Sequence, residues 1–184
     1  MNANEMRVVL IGHKARQGKD TFAVMLKEAM EVYGNKTSIF NFAAPLKEIL
    51  SEALGVSRET LDAMKNEHEH YRSILQRFGN GKMKDYFGEN VWRDIAISHI
   101  ESMRDVGVQC VIIPDFRFPA EYIDGAVTIK VVRPGVSIGD GHISETAMDL
   151  YDYDYTVVND LDLDYLKLEA MKMAHKIIGM TDEL

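Results

Sequence analysis

The strongest constraint on this chain lies near its start, in "RVVLIGHKARQGKDTF", residues 7–22. A β-branched run ends at Gly12, a loop with a Gly18-Lys19 pair follows, and an amphipathic helix opens directly behind it. This is the arrangement of a phosphate loop, in which successive backbone N–H groups curl around an anion at a helix N-terminus. In such loops the lysine reaches the β- and γ-phosphates, and a hydroxyl after it holds Mg²⁺. Two positions depart from the usual spelling. His13 stands where the leading glycine is expected, with Gly12 one residue early, and Asp20 replaces Ser or Thr, with Thr21 next. A one-residue shift alters the entry of the loop and leaves its Gly-Lys-helix end intact. An aspartate is a hard oxygen ligand for Mg²⁺, directly or through water, and it equally suits a helix N-terminus as a cap. Lys14, Ala15, Arg16, Gln17, Gly18, Lys19, Asp20 and Thr21 are therefore the expected cradle for the phosphates of ATP.

The rest of the chain restricts what surrounds that loop. Its 184 residues suit one substantial domain over 1–184, and 46% hydrophobic content implies a folded core. The balance of 21 basic and 29 acidic residues gives −8, which argues against a broad grip on nucleic acid or an anionic membrane. Cys110 is the single cysteine, so no internal disulfide forms, and its apolar surroundings suggest a small buried residue. No export signal or apolar stretch of the ~18 residues needed for a span is present, so a cytoplasmic location is expected.

Strands and helices alternate along the chain. Strands are expected at Arg7–Ile11 and in "KTSIFNF", "CVIIPD", "AVTIKVV" and "YTVVN". One helix follows the loop, with Phe22, Met25, Leu26, Ala29, Met30 and Tyr33 on one face until Gly34 stops it. Another starts at Pro45, and a third runs from about Asp162 with Leu163, Leu166, Ala170, Ala174 and Ile177 on one face. Between Ser57 and Asp105 the pattern is helical, with interruptions expected at Gly79, Gly81 and Gly88. Continuous apolar strand runs predict an α/β fold: a five-stranded, mostly parallel sheet with helices on both faces. The helical stretch of about 55–105 is long for a crossover and reads as an insertion that covers a substrate.

Phosphoryl transfer needs cations and positioning around a spreading negative charge, which selects Lys19 first. Asp115 ends the third strand and is open to three roles: Mg²⁺ binding through water, acceptor orientation, or capping of the turn that follows it. Arg117, two residues on, can point toward the strand-end crevice where ligands bind in open α/β sheets, and is a candidate phosphate clamp, or a salt-bridge partner. Lys47 and Arg72 are candidates for the acceptor side, or are solvated helix cations. Phe42 and Trp92 are candidates to wall in a base, or are core. Arg133 begins a glycine-rich segment, about 133–145, with the composition of a lid. His142 and Glu145 lie in it, and the acidic run "DLYDYDYTVVNDLDLD" after it reads as a solvated face.

Several segments together resemble the phage-type deoxynucleoside monophosphate kinases, a P-loop family. They are "GHKARQGKDT", "FNFAAPLKEIL", "YRSILQRFGNGKMKDYFGENVWRDIA", "VIIPDFRFPAE", "IKVVRPG" and "HISETAMDLYDYDYTVVND", which run in order from about residue 7 to 160. The resemblance implies an NMP-kinase-like fold and Mg²⁺-dependent transfer of the γ-phosphoryl of ATP to a deoxynucleoside monophosphate. It also implies Lys19, Arg117, Asp115 and Arg133 at the chemistry, with Asp20 and Asp115 toward the metal. Phe42, Lys47, Arg72, Trp92, Asp115, Arg117 and Glu145 would lie toward the acceptor, and a homodimer is a further expectation. Rival readings are another small-molecule P-loop kinase, of dephospho-coenzyme A or phosphomevalonate type, and a nucleotide-binding module without turnover. A regulatory GTPase would need Asn-Lys-x-Asp, and "NKTS" at Asn35 fails at its fourth position.

Overall fold

The computed structural model describes residues 6–67, 69–136, 143 and 146–179; within the helices, the side chains of 65–67, 69, 70, 72, 76 and 80 are not described. Among the described residues five strands form one sheet, in the order β2-β3-β1-β4-β5. They are β1 Arg7–Gly12, β2 Thr37–Ile39, β3 Cys110–Phe116, β4 Val127–Val132 and β5 Tyr155–Val158. Every pairing is parallel. The central strands read as unbroken apolar runs because both of their faces are covered. Val9, Leu10, Ile11, Ile112 and Ile113 are wholly buried.

Helices α1 (Lys19–Val32) and α7 (Leu163–Ile178) cover one face. There Phe22, Leu26 and Met30 meet Leu166, Ala170 and Ala174 over Val9, Ile112 and Ile129. Leu163, expected on that buried face, is exposed. It is the first residue of α7, directly after the N-cap Asp162, whose carboxylate accepts from the Tyr165 N–H at 2.9 Å. Cys110 is part of this core, and burial pushes its thiol up to about 12, so it is inert.

The other face is covered by α2 (Ala44–Leu54) and α6 (Val91–Asp105). Leu46, Trp92, Ala96 and Ile100 pack there with Leu10, Val111, Ile113 and Phe116. Helix α6 is thus part of the sheet's own cover, and α3 (Arg58–Glu67), α4 (Glu69–Gln76) and α5 (Met83–Phe87) are the other helices of the stretch expected as an insertion. Gly79 and Gly81 do not interrupt that stretch. The chain runs through Arg77–Lys82 as a π-helical segment, and only Gly88 ends a helix. Gly79 is small for a packing reason: a Cβ there would lie 2.7 Å from Cδ2 of Leu46. Its carbonyl accepts the Trp92 indole N–H at 3.0 Å.

The acidic-aromatic run also differs from a simple solvated face. Tyr151 and Tyr153 are half-buried, edge-on to each other and to Phe116. Asp154 accepts from both the N–H and the hydroxyl of Thr128, at 2.7 and 2.8 Å, and so fixes β5 against β4. Asp152, Asp154, Asp160, Asp162 and Asp164 of the run are exposed.

Candidate active site

The phosphate loop lies where β1 turns into α1, and its backbone is wound tightly. His13, Arg16 and Gly18 all have positive φ, at 90°, 58° and 92°. Left-handed residues alternating with ordinary ones turn successive N–H groups to one side, which makes an anion-binding concavity. The Phe22 N–H reaches the Gly18 carbonyl at 2.9 Å and closes the first helical turn. Lys19 is buried, and its ammonium donates to the Lys14 carbonyl at 2.5 Å, bracing the loop from inside. Asp20, Thr21 and Arg16 are exposed at its rim. Lys14 pairs with Asp149 at 3.1 Å. Burial, then the charges of Lys130 and Lys14, push His13 below its usual range, so it stands neutral beside the loop.

Register between β1 and β3 shifts after Leu10, so that Gly12 stands opposite Phe116. The extra residue falls at Pro114-Asp115. Proline cannot donate to the ladder and is tolerated at such a bulge. The bulge brings β3 to the loop: a Cβ at Gly12 would collide with the Tyr153 hydroxyl and lie 2.9 Å from the Phe116 carbonyl.

Asp115 is enclosed next to the loop, and its two oxygens accept from the N–H groups of Phe42 and Ala43, at 2.9 and 3.0 Å. Burial raises its carboxyl above the usual range against the pull of those two amides and of Arg117, and Asp20 adds to the rise. These bonds tie Asp115 to the turn between β2 and α2, and not to the turn that follows β3. Each oxygen of Asp115 accepts one of the two amides and keeps a further lone pair. Asp20 is close enough to feel its charge and keeps its exposure.

Arg117 is half-buried, just past the end of β3. Its N–H and that of Phe118 donate to the same oxygen of Glu121, at 2.7 and 3.0 Å. Glu121 is buried, and Lys84 from α5 sits 4.4 Å above the Phe118 ring, so the insertion is fastened to the Arg117 turn. Sequence reasoning did not single out Glu121 as a site residue, although it closes the quoted "PDFRFPAE" segment.

Desolvation raises the Glu121 carboxyl from 4.5 to about 7, with Asp115 adding to the rise, while the two amides and Lys84 oppose it. The folded value lies above the ordinary one. The stability from protonated Glu121 is therefore complete below about 4.5 and lost as pH climbs through about 7. Glu121→Gln should flatten the fall in urea midpoint between those values, with an upper bound of about 3 kcal/mol.

The expected acceptor residues divide. Lys47 pairs with Asp62 of α3 at 2.6 Å, so its charge is shared between α2 and α3. Phe42 and Trp92 are buried at 4% and 5% exposure and belong to the hydrophobic cluster on the face of the sheet that α2 and α6 cover. Trp92→Phe should cost about 1–2 kcal/mol, because the Gly79 carbonyl loses its partner. The KM for any acceptor should stay unchanged. Arg72 lies on α4 with no described side chain, and His142 and Glu145 lie outside the described residues, with most of the lid-like segment. A crevice of about 620 Å³, lined by Phe40, Asn41, Ala43, Lys47, Arg58, His99 and others, opens at β2, two strands from the phosphate loop.

A parallel sheet with a phosphate loop on its central strand, and an aspartate and an arginine at the end of the next one, defines a P-loop α/β protein. The family model for deoxynucleotide monophosphate kinase matches residues 58–170, more than half of the chain. The chain belongs to that family. It is 30% identical over 100 residues to the deoxynucleotide monophosphate kinase of Enterobacteria phage T4, covering 52% of this chain and 41% of the phage protein. It is 29% identical over 142 residues to a protein of Acanthamoeba polyphaga mimivirus provisionally given the same name, covering 65% of this chain and 74% of that one. Among the described residues no helix is long and apolar enough to cross a membrane.

Proposed function

We propose that this chain transfers the γ-phosphoryl group of ATP to a deoxynucleoside 5′-monophosphate. An oxygen of the acceptor phosphate forms the new P–O bond while the bond to the β-phosphate oxygen breaks, which yields a deoxynucleoside diphosphate and ADP. The observation that carries this reading is the buried Lys19 in a left-handed loop beside the Asp115–Arg117 end of β3, in a chain of this family.

The loop N–H groups and the Lys19 ammonium suit the β- and γ-phosphates of ATP. Arg117, with its turn clamped by Glu121, supplies a fixed cation for the acceptor or transferring phosphate. Arg133 is exposed at the end of β4 and available to the same group. Asp115 holds the β2–α2 turn, and with it the first residues of the acceptor side. Asp20 and Thr21, both oxygen donors at the start of α1, fit a Mg²⁺ ion carried by the nucleotide. Bound there, the ion neutralises charge on the phosphates.

A coupled ADP-release assay with ATP and Mg²⁺ tests the reading against dAMP, dGMP, dCMP and dTMP, with AMP and dephospho-coenzyme A as controls. Turnover with one or more of the four deoxynucleotides is expected. Turnover only with a control would change the acceptor class. ATP binding without any turnover would leave a nucleotide-binding module.

A further inference from the structure

Two side-chain amides close a ring behind the phosphate loop. The Asn159 Nδ2 donates to the Gln17 carbonyl at 3.1 Å, in a buried setting. The Gln17 Oε1 accepts from the Arg133 N–H in a short hydrogen bond. The Asn159 N–H donates to the Val132 carbonyl at 2.7 Å, and Val132 is bonded to Arg133. The circuit therefore runs from the loop to the end of β5, across to the end of β4, and back to the loop.

The two members are 3% and 9% exposed, so water does not compete for these bonds. Backbone partners also fix which way each amide faces. A carbonyl at Gln17 requires the NH₂ of Asn159, and an N–H at Arg133 requires the oxygen of Gln17. The Gln17 side chain is thus turned inward, away from any phosphate held by the loop, and only its backbone can serve the cradle. Asn159 also fills the space a Cβ would take at Gly18, 2.5 Å from its Nδ2.

We propose that Gln17 and Asn159 are positioning residues that lock the phosphate loop to the ends of β4 and β5 and so deliver Arg133 in register with Lys19. The inference rests on the phosphoryl-transfer reading, because it gives Arg133 its work at the phosphates. Fixing the Arg133 backbone to the loop removes the freedom of the one relative to the other, and a misplacement of about 1 Å near a reacting centre can cost ~10²-fold in rate.

The test is a double-mutant cycle between Gln17→Met, which keeps the length but loses the acceptor, and Arg133→Ala. It is read on kcat and on the affinity for a fluorescent ATP analogue, with melting temperature as the check on folding. Gln17→Met should lower kcat roughly tenfold when Arg133 is present and hardly at all in the Arg133→Ala background. Equal losses in both backgrounds would overturn the proposal, as would an Arg133→Ala variant that behaves like the unaltered chain in both readouts. If Gln17→Met fails to fold, Asn159→Ala takes its place in the cycle with the same expectation. The affinity cycle needs no turnover, so an unaltered chain that binds ATP but phosphorylates none of the four acceptors would sink the functional reading alone. The ring would then stand or fall on whether the affinity losses couple.

Discussion

Lys19→Ala should lower kcat/KM by roughly 10³-fold, the scale expected when one preorganised charge is removed from a developing anion. The expectation follows from where the ammonium is held. Lys19 is 6% exposed, so its charge acts in a site poor in water and loses little strength to screening. Its backbone is the first residue of α1, where the helix's partial positive charge adds to its own. The folding cost should be small, because the Lys14 carbonyl that it touches belongs to a loop at the surface. Single-turnover kinetics with saturating ATP would separate the two effects. A loss confined to ATP affinity, with the chemical step unchanged, would mean that Lys19 grips the nucleotide without following the transferred group. A loss below tenfold would remove it from the chemistry altogether.

The features that could be read from the sequence are those that announce themselves locally. A parallel strand covered on both faces must be a continuous apolar run, so "RVVLI" and "CVII" were visible as central strands. The phosphate loop was visible because strand, Gly-Lys and helix are contiguous. The edge strand was shorter than expected: pairing of "KTSIFNF" ends at Ile39, and the turn after it is organised by Asp115, which lies more than 70 residues away. The π-helical segment at Arg77–Lys82 was hidden because glycine usually signals a break, whereas Gly79 is there to let Leu46 approach. Trp92 presented the same ambiguity that any large aromatic on a helix presents, and the structure shows it buried with its indole N–H on the Gly79 carbonyl. Glu121 and Asn159 were the real omissions. A buried carboxylate that clamps a turn and a buried amide that reaches 142 positions back to Gln17 carry no local pattern. Their roles exist only once the sheet has brought β1, β4 and β5 side by side.

Gly18→Ala should be strongly damaging for a change of a single methyl group. Gly18 has φ 92°, ψ 17°, a left-handed conformation that glycine adopts freely and alanine does not. The strain costs about 1–3 kcal/mol. The new Cβ would also lie 2.5 Å from the Asn159 Nδ2, so the amide must leave the Gln17 carbonyl at a further cost of about 1 kcal/mol. Together these amount to roughly 2–4 kcal/mol, or about 30- to 1000-fold in an equilibrium constant. If the loop keeps its shape, the cost appears as lost stability; if it relaxes, the cost appears as lost ATP affinity. The sum of the two is the predicted quantity, measured by denaturant unfolding and by equilibrium ATP binding on the same preparation. Gly18→Ala made in an Asn159→Ala background separates the contributions, since there the collision and the hydrogen bond are already gone and only the backbone strain is left. Its cost there should be smaller than in the unaltered chain by about 1 kcal/mol. No cost at all in that background would mean that the collision alone excludes a side chain at Gly18. No loss in either measurement for Gly18→Ala would mean that the left-handed turn is not the conformation in which the loop holds phosphate.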